Sequence, residues 1–461
     1  MSHNDAIIQS LKEALGDDAV FSGESIDPRF HADKTSDLSG IPDIVILPRT
    51  TAQVAAALRL CSHYGIPVIP RGAGTGVTGG AVALSGGAVL SLERMNAILE
   101  TDGKNCTMTV QPGVTTGAIQ SEALKLGLLY PPDPASLKDC TIGGNIAESS
   151  GGPSAVKYGT TKDYVLGLEF VTMDGAIMRT GGKYVKNATG YSIGGLIIGS
   201  EGTLAVVTEI TLRLIPAPKH ICDILVSFDS LEKAADAVWY ITAARLVPVT
   251  IEFMEEDTIR FVARNSETKL PLSSGKAHLL IQLDADTRWE LRARRKALIR
   301  SIDSLGPDIL IAKSDKMRTL LWSTRRGIRP AIEKESPVFL AEDCVVPRAS
   351  IPAFVKEVKD FLNSRSLRSV IFGHAGDGNV HIDVLKYDIA RDEWKTMLPS
   401  IKKEIYGIAI RHGGTISGEH GIGSVRRDYM ELAFSVEELE LMRRVKQAFD
   451  PKGLLNPGKM I

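Results

Sequence analysis

The apolar positions of the chain follow two spacings, and they change places along it. Asp43-Ile44-Val45-Ile46-Leu47-Pro48 is a short continuous apolar run and predicts a buried strand. Val54, Leu58 and Cys61 then recur at helical spacing behind Thr51, a candidate N-cap, and Gly65 closes that helix. Residues 66–69 are extended again, so this part reads as strand, helix, strand. Before it, Ile7, Ile8, Leu11 and Leu15 predict a short amphipathic helix. Residues 88–92 and 107–111 predict strands, and 116–126 a helix ended by Gly127. Residues 166–173 and 176–180 predict a hairpin about Asp174-Gly175, and 205–214 a further strand.

At Pro216-Ala217-Pro218 glycine becomes sparse, and helix and strand patterns alternate. Helices are predicted at 231–245, 288–305, 351–363 and 436–449, and strands at 249–254, 277–284, 338–346 and 369–372. The arginine run in 288–305 reads as a solvated face.

Composition narrows the class. The 461 residues suit two or three domains, with 44% apolar and 24% charged residues, ordinary values for a globular protein. Lys+Arg 54 against Asp+Glu 55 leaves a net charge of -1, which speaks against a nucleic-acid binder. The five cysteines are scattered, with no Cys-x-x-Cys pair, so a disulfide framework, a zinc ribbon or an iron–sulfur cluster is not expected in this chain. The first residues, MSHNDAIIQSLKEALGDD, do not read as a signal peptide, and no run approaches the ~20 apolar residues of a membrane span. The expected location is the cytoplasm, free or peripheral to the membrane.

The chemistry begins at Pro70-Arg71-Gly72-Ala73-Gly74-Thr75-Gly76-Val77-Thr78-Gly79-Gly80. A loop this stripped of side chains lets backbone N–H groups approach a ligand, and phosphate is the usual guest. Gly74-x-Gly76-x-x-Gly79 matches the dinucleotide fingerprint formally, with Glu100 where a ribose-binding acid belongs. No helical period follows Gly79, so the Rossmann reading is rejected. Two more small-residue clusters, 140–153 and 194–203, point to one long ligand with several polar parts, such as FAD.

PRGAGTGVTGG, PPDPAS, TIGGNIAESSGG with Val156-Lys157-Tyr158-Gly159, and GSEGTLAVVTE together resemble the FAD domain of the vanillyl-alcohol oxidase/PCMH superfamily. The nearer resemblance, over almost the whole chain, is to the FAD-dependent D-2-hydroxyacid dehydrogenases. It implies an α+β fold: a PCMH-type FAD-binding domain of two α/β subdomains, plus a cap domain with an antiparallel sheet and helices. The expected domains are 1–217 for FAD, 218–414 for the cap, substrate and metal, and 415–461 returning to the FAD domain. Arg71, Gly72, Ala73, Gly74, Thr75, Gly76, Thr78 and Gly79 are implied to cradle the pyrophosphate. Pro134, Ala135, Ser136, Thr141, Gly144 and Asn145 are implied to approach the flavin side. Ser150, Gly151, Tyr158, Glu201, Gly202 and Val207 are implied to line the rest, with Asn456 reaching the isoalloxazine. Some relatives attach FAD through a histidine in the glycine loop; this loop has none, so non-covalent FAD is expected.

A second informative stretch is Gly373-His374-Ala375-Gly376-Asp377-Gly378-Asn379-Val380-His381. Extended residues flank an Asp-Gly-Asn turn, which can fold both histidines toward one metal ion. In Ser417-Gly418-Glu419-His420-Gly421, Glu419 would complete a His-His-carboxylate set and leave His420 as general base. The resemblance implies the same roles, with zinc, manganese or iron as the divalent metal; His412 reads as structural. The implied chemistry is hydride transfer from the α-carbon to flavin N5 while His420 takes the hydroxyl proton.

The resemblance places the substrate carboxylate on Arg325. Arg329 stands where hydroxyglutarate enzymes carry threonine, and Ala341 and Asp383 replace their lysine and asparagine. A smaller acid, D-lactate or glycolate, is therefore expected, with Arg329 in reserve for a second carboxylate. Electrons must leave to a quinone, an electron-transfer flavoprotein or an iron–sulfur subunit, and a homodimer is compatible with the reading. The alternatives are a metal-independent FAD oxidase acting on another alcohol and a non-catalytic FAD-binding subunit of a redox complex.

Overall fold

The computed structural model describes residues 3–265 and 275–461. The chain divides into two compact units, Met1–Gly152 with Thr160–Ala217 and Glu419–Ile461, and Pro153–Gly159 with Pro218–Gly418.

In the first unit a four-stranded sheet runs Val20–Ser22, Ile44–Ile46, Ala88–Ser91, Val68–Arg71, with the last three strands parallel. Helices His3–Leu15 and Thr51–Tyr64 cover one face: Ile7, Leu11, Val54, Leu58 and Cys61 meet Ile44, Ile46, Val68 and Leu90 there. Each such fully buried aliphatic side chain contributes roughly 1.5–3 kcal/mol. The N-cap of the second helix is Thr50, whose side chain accepts from Gln53 N–H, one residue before the expected Thr51. Gly65 ends the helix in a left-handed conformation (φ 67°), as the pattern anticipates.

The second sheet of this unit is antiparallel, in the order Ile98–Asp102, Thr107–Val110, Val206–Arg213, Val165–Val171, Ile177–Gly181, and includes the Asp174-Gly175 hairpin. The glycine loop joins Val68–Arg71 to Ala88–Ser91 without any helix between them, which removes the Rossmann reading on structural grounds. The cluster at 140–153 does hold a short helix, Ile142–Glu148, which glycine content had masked.

The second unit is built on a seven-stranded sheet: Asp308–Ile311, His220–Phe228, Ala277–Ala285, Thr250–Glu255, Arg368–His374, Asn379–Leu385, Phe339–Val345. Every neighbouring pair is antiparallel. Helices Glu256–Asn265, Asp315–Arg326 and Ile328–Glu335 pack Phe261, Leu321, Trp322 and Ile332 against Leu225, Met254, Leu280 and Phe372. The piece Pro153–Gly159 joins this unit through Lys157 and Tyr158, which both hydrogen-bond the buried carboxylate of Asp284.

Candidate active site

In an antiparallel sheet, residues directly opposite each other share a face. Glu252 stands opposite His374, and Asp343 opposite His381. The His374/His381 strands are paired with each other, with Phe372 opposite His381 and His374 opposite Asn379. Strand register therefore gathers Glu252, His374, His381, Asn379 and Asp343, from four adjacent strands, on one side. Sequence reading named only the two histidines; Glu252 lies 122 positions from its partner.

The two imidazoles meet Nε2 to Nε2 at 3.3 Å. Behind them, His374 Nδ1 is 2.5 Å from Glu252 Oε1, and His381 Nδ1 is 3.4 Å from Asp343 Oδ1. A carboxylate hydrogen-bonded behind the ring, as Glu252 is behind His374, is the arrangement that fixes the tautomer of a metal-binding histidine and turns its other nitrogen toward the ion. Asp343 is itself anchored, since Asn379 Nδ2 donates to Oδ1 at 2.6 Å and Gly418 N–H to Oδ2 at 3.0 Å. Burial pushes the Glu252 carboxyl up, but His374 and Arg325 more than offset this, so it ends below the usual glutamate range. The donor set fits a divalent ion: two imidazoles whose Nε2 atoms converge, backed by carboxylates.

Arg325 lies at the end of helix Asp315–Arg326, with its side chain 13% exposed. Its Nε donates to Glu252 Oε2 at 2.8 Å, and its guanidinium stacks 4.7 Å from the Phe372 ring centroid. Among the described residues its Nη atoms have no hydrogen-bond partner. Arg329 is engaged differently: Nη1 lies 3.2 Å from Oδ1 of the fully buried Asp383, and its guanidinium stacks on Phe339. His412 pairs with Glu357 at 2.8 Å.

In the first unit the glycine loop packs its backbone closely against its neighbours. A Cβ on Gly72 would stand 2.4 Å from Thr141 Oγ1, so only glycine permits that approach. Thr141 Oγ1 is buried with no hydrogen-bond partner among the described residues, an acceptor and donor left for a ligand. This cradle fits a pyrophosphate. Arg71 behaves otherwise than expected: its guanidinium donates to the carbonyls of Ala81, Arg29 and Ala32 and faces the Phe30 ring. It ties the loop to the segment that carries Arg29 and Ala32. Thr78 and Asn145 are buried, the latter donating to Thr116 Oγ1 at 2.6 Å. Pro134 and Ser136 accept from Leu137 and Cys140 N–H in a tight loop that also holds Ala135. Ser150 O accepts from Thr161, and Val207 is buried in strand Val206–Arg213. Tyr158, expected on the FAD wall, belongs to the second unit and bonds Asp284.

Glu201 has a role that the sequence did not disclose. Its carboxylate accepts from Ile422 N–H at 2.6 Å and Gly423 N–H at 2.7 Å. A Cβ on Gly421 (φ 82°) would fall 2.2 Å from Glu148 Oε2, so the turn after His420 closes onto two carboxylates. Burial and then Glu201 push the Glu148 carboxyl well up, while Arg426 pulls it back. Asn456 Nδ2 donates to Glu201 O and Gly80 O at 2.8 and 3.1 Å, and its Oδ1 is buried with no hydrogen-bond partner among the described residues. Glu201 and Asn456 thus connect the tail, the glycine loop, the 199–203 loop and the turn after His420. Glu419 lies beside Gly151 in this unit, and Gly202 sits against Pro70.

Comparison with known proteins decides the family. Residues 42–181 match the model of an FAD binding domain, and residues 217–460 that of FAD linked oxidases, C-terminal domain. The chain belongs to the FAD-linked oxidase family. It is 40% identical over 430 residues to glycolate oxidase subunit GlcD of Bacillus subtilis, covering 93% of this chain and 91% of that one. It is 36% identical over 461 residues to a D-lactate dehydrogenase of Anaerostipes hadrus, covering 98% and 97%. Among solved structures, p-cresol methylhydroxylase with substrate bound superposes with TM-score 0.81 at 18% identity, covering 100% of this chain and 97% of that one. The fold of this family member is therefore the PCMH type, and the chain is an FAD-dependent oxidoreductase. No helix among the described residues is long and apolar enough to cross a membrane.

Proposed function

We propose that this family member oxidises a small D-2-hydroxy acid, D-lactate or glycolate, to the 2-keto acid, with a divalent metal assisting. The observation that carries the reading is the His374/His381 pair, its Nε2 atoms 3.3 Å apart, beside an arginine with unused donors. The names of two relatives, a D-lactate dehydrogenase and a glycolate oxidase subunit, support the substrate class.

When bound, FAD supplies the two-electron acceptor and the metal a Lewis acid for the 2-hydroxyl and carboxylate. The chain's own residues do the rest. His374 and His381 bind the metal, and Glu419 completes the set. Gly418 N–H is held by Asp343, and Glu419 follows one Cα step, about 3.8 Å, later. Arg325 takes the substrate carboxylate in a bidentate fork. His420 removes the hydroxyl proton as a neutral imidazole. The Arg329–Asp383 pair supports a monocarboxylate, because the second guanidinium already has an anion. The backbone of 71–79, with Thr141, Gly144, Asn145, Ser150, Gly151 and Asn456, walls the FAD. A quinone, an electron-transfer flavoprotein or an iron–sulfur subunit accepts the electrons.

Anaerobic addition of D-lactate and glycolate to the FAD-loaded protein should bleach the flavin band near ~450 nm, and L-lactate should not. Chelator treatment should abolish bleaching, and added zinc or manganese should restore it. Full bleaching in a protein stripped of metal would remove the metal from the reading.

A further inference from the structure

Resting on that reading, we propose that Glu252 is a positioning residue that ties the metal-binding arm of the site to the substrate-carboxylate arm. One carboxylate serves both. Oε1 faces His374 Nδ1 at 2.5 Å, and Oε2 accepts from Arg325 Nε at 2.8 Å.

The geometry constrains each partner in the manner its task needs. With Nδ1–H of His374 given to Glu252, the lone pair of this ring sits on Nε2, the atom directed at His381 Nε2. With Nε of Arg325 given to the other oxygen and its plane stacked on Phe372, the Nη edge is left for a carboxylate. Glu252 is fully buried, so water cannot replace either bond. Its place is set by backbone register, opposite His374 on strand Thr250–Glu255, and a swing of its side chain would break both bonds. Metal and substrate are thereby held at a fixed separation by a residue that touches neither.

A buried ion pair with only a structural role would give the same contacts, so the test must read both arms. In the FAD-loaded full chain, zinc affinity is measured by competition with a chromophoric chelator. KM and kcat for D-lactate are measured on the same samples. Glu252→Gln keeps the volume but offers one acceptor and one amide, so it cannot accept from both His374 and Arg325. Glu252→Asp keeps the charge but is one methylene too short to span them. Glu252→Gln should weaken zinc binding about 10–100-fold, as loss of a metal ligand's carboxylate partner does, and raise KM about tenfold. Combined with Arg325→Lys, it should add little further to KM, because both changes break the same bond. Should Glu252→Gln not fold, Glu252→Asp must still lose at least one arm, by tenfold or more. Zinc affinity and KM both within twofold of wild type in either folded variant overturn the proposal. A wild-type protein that takes up no divalent ion overturns the functional reading, and this proposal with it.

Discussion

Glu201→Ala tests whether one carboxylate sets the shape of the turn that follows His420. The substitution removes the acceptor of two N–H groups, Ile422 at 2.6 Å and Gly423 at 2.7 Å. A buried donor left without a partner costs roughly 1–3 kcal/mol. Gly423 is buried and should sit in the upper half of that range; Ile422 is half-buried, can recruit water, and should sit near the bottom. The sum is about 3 kcal/mol. That loss is read by urea unfolding of the FAD-loaded protein. Rate should suffer more than stability. A displacement of ~1 Å at a catalytic base can cost about a hundredfold, so anaerobic flavin reduction should slow by ten- to a hundredfold while FAD stays bound. An unchanged unfolding midpoint together with a reduction rate within twofold of wild type would refute the reasoning. Loss of FAD instead would move Glu201 from the turn to the cofactor wall.

Three further outcomes are expected. His420→Ala should keep the flavin spectrum and lose at least a hundredfold in the rate of flavin reduction; unchanged stopped-flow traces would remove His420 as base. Asp383→Asn frees the guanidinium of Arg329, so the KM ratio of a 2-hydroxy diacid such as D-malate to D-lactate should fall about tenfold, some 1.4 kcal/mol, and an unmoved ratio would mean that Arg329 does not face the substrate. Burial depresses the Lys459 ammonium to about 8. Between that pH and its ordinary value of 10.5 the unfolded chain keeps a proton that the folded chain has lost, so stability should rise with pH across this window, by roughly 2 kcal/mol after allowance for solvent screening. Lys459→Met should flatten the rise, and equal slopes in pH-dependent unfolding would contradict the assignment.

What the chain discloses by itself depends on the distance over which each feature is set. Helix Val436–Phe449 and the Asp174-Gly175 hairpin are written in neighbouring residues and could be read directly. So could the turn between His374 and His381, because its Asp-Gly-Asn signal is local. Glu252 and Asp343 could not be read, since only strand order brings them opposite those histidines. Arg71 illustrates another limit. An arginine opening a glycine loop suggests a phosphate ligand, yet carbonyls from residues 29 and 32 claim its guanidinium. Arg329 is a similar case, since nothing local announces Asp383. Helix Ile142–Glu148 was hidden for a different reason: Gly143 and Gly144 lower its helix propensity, and tertiary packing overrides them.

The order in which the two units are written along the chain bears on how the protein is made. The first unit needs residues from both sides of the second. Val68 donates its N–H to Leu454 O and accepts from Asn456 N–H, and the carboxylate of Glu201 waits for Ile422 and Gly423. A ribosome adds about 5–20 residues per second, so roughly 10–40 s pass between Ala217 and Glu419, the span that encodes most of the second unit. During that interval the strand Val68–Arg71 lacks its last partner, and the buried Glu201 lacks the peptide that covers it. The first unit is thus completed last, after the histidine hairpin has already emerged.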